Sequence, residues 1–304
     1  MSPTVPTIAE LDKRFGIAGS AHVQADAGGH PVVRVATEKC LGAMYLHGAQ
    51  VTSWKPAGNS EMIFLSSKAV FEEGKAIRGG VPVCFPWFRG KADDPKAPQH
   101  GFVRTKRWTL DAVENAAEGI RVTMSTASDD ATRSLWPHDF RARLAATFGA
   151  SLHLAFTVSN TGGGPLRYEE ALHTYYRVSD ISAARLTGLD GAAYLDNTDN
   201  NAEKKLSGDL TIGKATDSAF LGSEHSLDLL DAARKSRLRI SKSNSRSTVV
   251  WNPWQEAAGK MADMGENEWR YMFCAEAANI RSDAVELAPG ASHTISVTTS
   301  LVPW

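Results

Sequence analysis

The chain has 304 residues and a formal net charge of −1, with 42% hydrophobic and 22% charged residues. That is enough chain for a large core and an ordinary globular composition, and so even a charge balance gives no bulk field for nucleic acid or an anionic membrane, so an anionic ligand needs a local basic cluster. No apolar run approaches the ~18 residues of a membrane span, and no basic region followed by an apolar run opens the sequence, so no secretory signal is expected. Cys40, Cys84 and Cys274 are far apart, show no metal-ligand spacing and cannot all pair with one another. They read as reduced, mostly buried thiols, which points to a cytoplasmic protein.

In chain order, the spacing of Thr7 and Glu10 is that of a capping box and predicts a short helix over Thr7–Phe15. Short β-branched or aromatic runs follow: His30–Thr37, Gly42–Trp54, Gly119–Ser125, Phe140–Phe148, Ser151–Asn160, Arg237–Ser243, Thr248–Trp251 and His293–Val302. Several alternate apolar with polar residues, as strands with one wet face do. Thr161–Pro165, with three glycines in a row, is a turn between two of them. Helices are expected only in connections, at Asp129–Leu135 and Asn252–Met264. With no repeat and no linker, the pattern predicts an all-β protein: one domain over 1–304, built as a large antiparallel β-sandwich.

Two stretches break the plain strand pattern. Ile77–Trp108 holds Arg78, Arg89, Arg104, Gln99 and His100 among aromatics, with Gly79-Gly80 and the prolines Pro82 and Pro86 at its bends. Such a concentration of polar and conformationally special residues suits loops that carry a binding site. Guanidinium groups match phosphate oxygens better than ammonium groups do, so the arginines are the candidate anion ligands; Lys106 and Arg107 read as a solvated basic edge. Leu166–Asp180 is the second stretch. Read as one strand, it places His173 on a face with Ala171, Tyr175 and Arg177. Glu169 would share that face and could orient the imidazole; Glu170 is a second rival carboxylate. Further on, Phe273–Ala277 puts Glu276 alone in an apolar run, where a carboxylate needs a partner or a task.

IRGGVPVCFPWF followed by QHGFVRTKRW, with ALHTY around His173, resembles the hexose-6-phosphate mutarotases (glucose-6-phosphate 1-epimerases) of the aldose 1-epimerase superfamily, over nearly the whole chain. The resemblance implies a galactose mutarotase-like β-sandwich that interconverts the α and β anomers of hexose 6-phosphates with no metal or cofactor. Carried over residue by residue, it makes His173 the general acid and Glu276 the general base. Arg78 and Arg104 then bind substrate around the phosphate, with Gln99 beside them and His100 on a sugar hydroxyl. Asp217 hydrogen-bonds another hydroxyl, although Thr-Asp-Ser replaces the family's Val-Asp-Arg-type turn. CAEAAN departs from the usual Glu-Ala/Pro-Gly pattern after the base. Arg89 is a third candidate cation, and Trp251, in a Trp-Asn-Pro turn, could stack on a sugar face. Leu195-Asp196-Asn197 reads as a turn.

Opening an aldohexose ring requires removal of the proton on O1 and delivery of one to the ring oxygen; reclosure on the other face of C1 reverses both transfers. One carboxylate and one imidazole supply this. The alternatives are an aldose 1-epimerase for unphosphorylated sugars, in which two arginines at the pocket would lack a partner, and a non-catalytic carbohydrate-binding protein, which would not need the acid/base pair. The expected partner is a small sugar phosphate, bound by a monomer.

Overall fold

The computed structural model describes residues 5–304. The predicted capping box is in place. Thr7 caps the helix Ile8–Phe15, its hydroxyl accepting from the Glu10 amide while the Glu10 carboxylate accepts from the Thr7 amide, which satisfies two of the donors a helix start leaves open. Asp129 caps Asp130–Leu135 in the same way.

The strands pair into antiparallel sheets. Ala21–Ala25, Pro31–Ala36, Cys40–Tyr45 and Gln50–Pro56 form a four-stranded meander. Gly42–Trp54, expected as one run, is two strands of this meander, turned around Gly48 and Ala49, both at positive φ. A nine-stranded sheet centres on Ser292–Val302, Ser151–Asn160 and Phe140–Gly149. Ser151–Asn160 alternates buried and half-buried residues along its length, as its sequence predicts.

An eight-stranded sheet places Thr216–Leu221, Ser247–Asn252 and Met272–Asn279 side by side, then Glu170–Leu172 and Val83–Cys84. Its inner face packs on the nine-stranded sheet. Phe85, next to Val83–Cys84, meets Phe140 and Phe156 with ring centres 5.0 and 6.0 Å away, and the Tyr176 and Thr299 hydroxyls meet at 3.0 Å. The core formed there is continuous from Leu11 to Val297. Every residue of Met272–Asn279 is buried, so its outer face is covered too, and the site lies there.

Two expectations fail locally. Leu166–Asp180 is not one strand but three, Leu166–Tyr168, Glu170–Leu172 and Tyr175–Arg177, interrupted at Glu169 and at His173-Thr174. Across these interruptions the backbone keeps to the same neighbouring segment: the His173 amide donates to Pro82 O at 3.0 Å and that of Tyr175 to Gly80 O at 3.0 Å. The register is nevertheless kept across the interruption, with Leu172 opposite Ala277 and Tyr175 opposite Cys274, so His173 stays on the face of Tyr175 as alternation predicts, while Arg177 lies over the Phe64 ring, 5.6 Å from its centre. The helix expected over Asn252–Met264 is only Trp254–Ala258. Beyond Gly259 the chain tightens into turns, Met261 N to Ala258 O and Met264 N to Met261 O. Asn252 ends its strand, its side-chain amide donating to the carbonyls of Trp269 and Met272.

Cys40, Cys84 and Cys274 are free thiols and buried, as expected. Among the described residues, no helix is long and apolar enough to cross a membrane, and no group of three His, Cys, Asp or Glu side chains is placed to hold a metal.

Candidate active site

Register builds the floor of the site. In the eight-stranded sheet Asp217 stands opposite Trp251, and Val249 opposite Glu276. Alternation sends these four side chains to the outer face, where they line a cavity of about 360 Å³. The walls come from the two unusual stretches: Arg78, Phe88, Arg89, Gln99, His100 and Arg104 from the first, His173 and Tyr175 from the second. All seven residues expected in the site, His173, Glu276, Arg78, Gln99, His100, Arg104 and Asp217, face this one cavity, and Arg89 and Trp251 join them.

The loop 85–101 reaches the cavity through close backbone packing. Gly101, at φ 73°, lets the chain pass against Phe85; a Cβ there would sit 1.8 Å from Phe85 O. Gly80, at φ 68°, likewise approaches Val51 O, which a Cβ would meet at 2.4 Å. Both positions are closed to side-chain-bearing residues. Arg89 and His100 adopt the left-handed region without being glycine, and they hold one another there. The His100 amide donates to Arg89 O at 2.7 Å, and the Arg89 amide donates to His100 Nδ1 at 3.2 Å. That bond makes Nδ1 an acceptor and leaves the proton of the neutral ring on Nε2. Burial, then Arg104, His173, Arg89 and Arg78, hold the His100 pKa well below the ordinary imidazole value, so this ring presents a neutral N–H donor.

His173 and Glu276 are the deepest polar groups. His173 Nε2 is 3.3 Å from Glu276 Oε1, with the side chains 8% and 1% exposed. The contact is not aligned as a hydrogen bond: neither carboxylate oxygen of Glu276 has a hydrogen-bond partner, nor has His173 Nδ1. Burial pushes the Glu276 carboxyl well above the carboxylate range, and the charge of Asp217 adds to the effect. Burial also lowers His173 to about 3, with Arg104 and Arg78 acting in the same direction. Both shifts favour an uncharged pair in the empty cavity, because desolvation penalises the ionised form of each.

The three arginines differ. Arg89 is paired with Asp217, whose second oxygen accepts from Asn197 Nδ2 at 2.8 Å. Arg78 Nε and Nη2 both lie 3.2 Å from Asp263 Oδ2, and Nη1 donates to the Tyr175 hydroxyl at 3.2 Å. Arg104 donates through Nη2 to Gln99 O at 3.0 Å, has no carboxylate within ion-pair distance among the described residues, and keeps a buried Nε without a partner.

Glu169 and Glu170 do not reach the pair. Glu169 accepts from the amides of Phe88 at 2.9 Å and Arg281 at 2.6 Å, tying two loops together. Glu170 is fully buried against Asn279 and His293. Sequence reasoning missed Asn197, Met261 and Asp263; Tyr175 it placed on the face of His173, where the ring lines the cavity. Asp263 had a signal like that of Glu276, a lone carboxylate in the apolar run Met261-Ala262-Asp263-Met264.

A family model described as Aldose 1-epimerase matches residues 31–300. A protein of Cenchrus ciliaris, provisionally named a glucose-6-phosphate 1-epimerase, is 35% identical over 293 residues, covering 92% of this chain and 87% of its own. An Escherichia coli K12 protein with the same provisional name is 33% identical over 234 residues, covering 77% of this chain and 78% of its own. The crystal structure of a Salmonella typhimurium protein, provisionally described as a mutarotase, superposes with a TM-score of 0.88 at 26% identity, covering 95% of this chain and 96% of that one.

Proposed function

The chain belongs to the aldose 1-epimerase family, and on that premise we propose that this epimerase interconverts the anomers of hexose 6-phosphates, with His173 as proton donor and Glu276 as proton acceptor. The observation that carries the phosphate is Arg104, a guanidinium without a carboxylate partner in the same cavity as the buried pair. Arg78 and Arg89 are already neutralised by Asp263 and Asp217. A phosphate dianion compensates Arg104 with charge-assisted bonds. The provisional names of the Cenchrus and Escherichia relatives point to the same substrate class.

The reaction needs one proton shared by two groups. In the charged form of the pair, Glu276 takes the proton of O1 while His173 gives its proton to the ring oxygen. The C1–O5 bond breaks, C1 becomes a carbonyl, and the pair is left uncharged. Rotation about C1–C2 exposes the other carbonyl face. On reclosure O5 attacks C1, His173 regains its proton from O5, and Glu276 returns one to O1. The uncharged pair favoured by burial is thus the form that accompanies the open chain. Phosphate on Arg104 reduces the positive field that helps to keep His173 deprotonated, which favours the charged form when substrate is bound. The sugar hydroxyls fall to the Nε2–H of His100, to Gln99 and to Asp217, whose oxygens each retain a lone pair.

The test is anomer exchange of glucose 6-phosphate followed by NMR or polarimetry, with glucose at the same concentration beside it. Acceleration of the phosphorylated sugar well above that of glucose is expected. Equal acceleration of both assigns the chain to unphosphorylated aldoses, and binding without acceleration makes it a non-catalytic carbohydrate-binding protein.

A further inference from the structure

His173 has no hydrogen bond to fix its ring. Nδ1 is buried without a partner, and the contact of Nε2 with Glu276 is not aligned. Catalytic imidazoles are commonly oriented by a carboxylate or carbonyl on the second nitrogen; here orientation must come from packing. The largest parallel contact is with Tyr175, whose ring lies 4.9 Å from the imidazole and within 16° of its plane. His100 and Trp251 add only edge contacts, at 5.7 and 5.9 Å. The plane of Tyr175 is in turn held at its far end, where the hydroxyl accepts from Arg78 Nη1 at 3.2 Å. Arg78 is fixed by Asp263, which takes both Nε and Nη2 on one oxygen. Asp263 belongs to neither unusual stretch; it sits in the turns that follow the helix Trp254–Ala258.

We propose that Asp263 is a positioning residue for the proton donor: through Arg78 and Tyr175 it sets the plane in which His173 meets the ring oxygen of the substrate. The inference rests on the assignment of His173 made above. It changes the reading of Arg78, whose main task becomes to hold Tyr175, with the phosphate left to Arg104. Proton transfer in a near-attack geometry is sensitive to displacements of about 1 Å, so a tilt of the stacked rings affects turnover more than binding.

The experiment measures kcat and KM for anomer exchange of glucose 6-phosphate and of glucose with Asp263→Ala, Asp263→Glu, Tyr175→Phe and the Asp263→Ala/Tyr175→Phe double variant. For Asp263→Ala the expected result is a fall in kcat of roughly 10-fold on both sugars, with KM for glucose 6-phosphate not raised. Asp263→Glu restores part of the rate. Tyr175→Phe keeps the ring but loses its anchor and shows the same fall, and the double variant is no worse than either single one, because both cut the same chain of contacts. If Asp263→Ala does not fold, Tyr175→Phe reads the same link by itself. A raised KM for glucose 6-phosphate with unchanged kcat overturns the proposal and returns Arg78 to the phosphate; so do multiplying losses in the double variant, or no change at all. Should wild-type protein prefer glucose, the phosphate reading fails while the kcat effect on glucose still decides the role of Asp263.

Discussion

His173 and Glu276 stand 3.3 Å apart, Nε2 to Oε1, at the bottom of a cavity, and neither oxygen of Glu276 is hydrogen-bonded. A buried carboxylate without partners is costly in the folded chain, and a purely structural residue at this place in Met272–Asn279 would be apolar like its neighbours. Glu276→Gln keeps the shape and removes the proposed base. Turnover is expected to fall by ~10²–10⁴-fold, the usual share of one proton-transfer group, while sugar phosphate affinity changes only a few-fold. Calorimetric binding beside NMR exchange checks both halves; a fully active Glu276→Gln variant contradicts the base assignment.

Arg104 makes the second prediction. Its Nη2 spends one bond on Gln99 O and its Nε none, so Arg104→Ala removes charge that no acid was neutralising. Losing a charge-assisted bond costs about 1.5–3 kcal/mol, or roughly 10- to 150-fold in KM for glucose 6-phosphate. The KM for glucose should hardly move. Equal effects on the two substrates would place the phosphate elsewhere.

Much of this was legible in the sequence, for physical reasons. Ser151–Asn160 carries its alternation openly because one face is wet, and the Thr7–Glu10 box is a local signal that needs no tertiary contact. The cavity walls were legible because glycine, proline and arginine gather in Ile77–Trp108. What stayed hidden depends on register and on distant loops. Asn197 reaches the cavity because the strand just before it, Ala193–Asp196, pairs with Thr216–Leu221, which carries Asp217. Asp263 comes to Arg78 because the helix before it ends early, at Ala258, whereas the composition of Asn252–Met264 suggested a longer one. Strand periodicity put Glu169 on the face of His173 but not within its reach, since four residues along a strand span ~13 Å and the Glu169 carboxylate is drawn away to the amides of Phe88 and Arg281.

That displacement gives Glu169 a different prediction. Its carboxylate satisfies the amides of Phe88 and of Arg281, the latter held in the left-handed region. Glu169→Ala leaves both amides without an acceptor, at about 1–3 kcal/mol for a buried group. A lower midpoint in thermal and urea unfolding is expected. Activity should fall as well, because Phe88 packs edge-on against His100, 4.7 Å between ring centres. A variant with unchanged stability would remove the loop-tying role.

The pH dependence of stability tests the burial of His173 separately from catalysis. Its folded value, about 3, lies below the ordinary 6.5, because burial and then Arg104 disfavour the cation. Between these values the unfolded chain binds a proton that the folded chain refuses, so stability falls as pH drops below about 6.5, by at most ~1.4 kcal/mol per pH unit for one group. His100, also held low by burial, contributes in the same direction. Glu276 acts in the opposite sense. Its raised folded pKa means that the folded chain holds a proton the unfolded chain loses, which costs stability as pH rises above the ordinary carboxyl value of 4.5. His173→Gln should therefore flatten the acid limb of the stability profile between pH 6.5 and 3, and Glu276→Gln should flatten the opposing limb above pH 4.5. Urea unfolding midpoints across that range, for wild type and both variants, give the slopes directly. An unaltered acid limb in His173→Gln would mean that the imidazole titrates normally in the fold and that burial does not hold it neutral below pH 6.5.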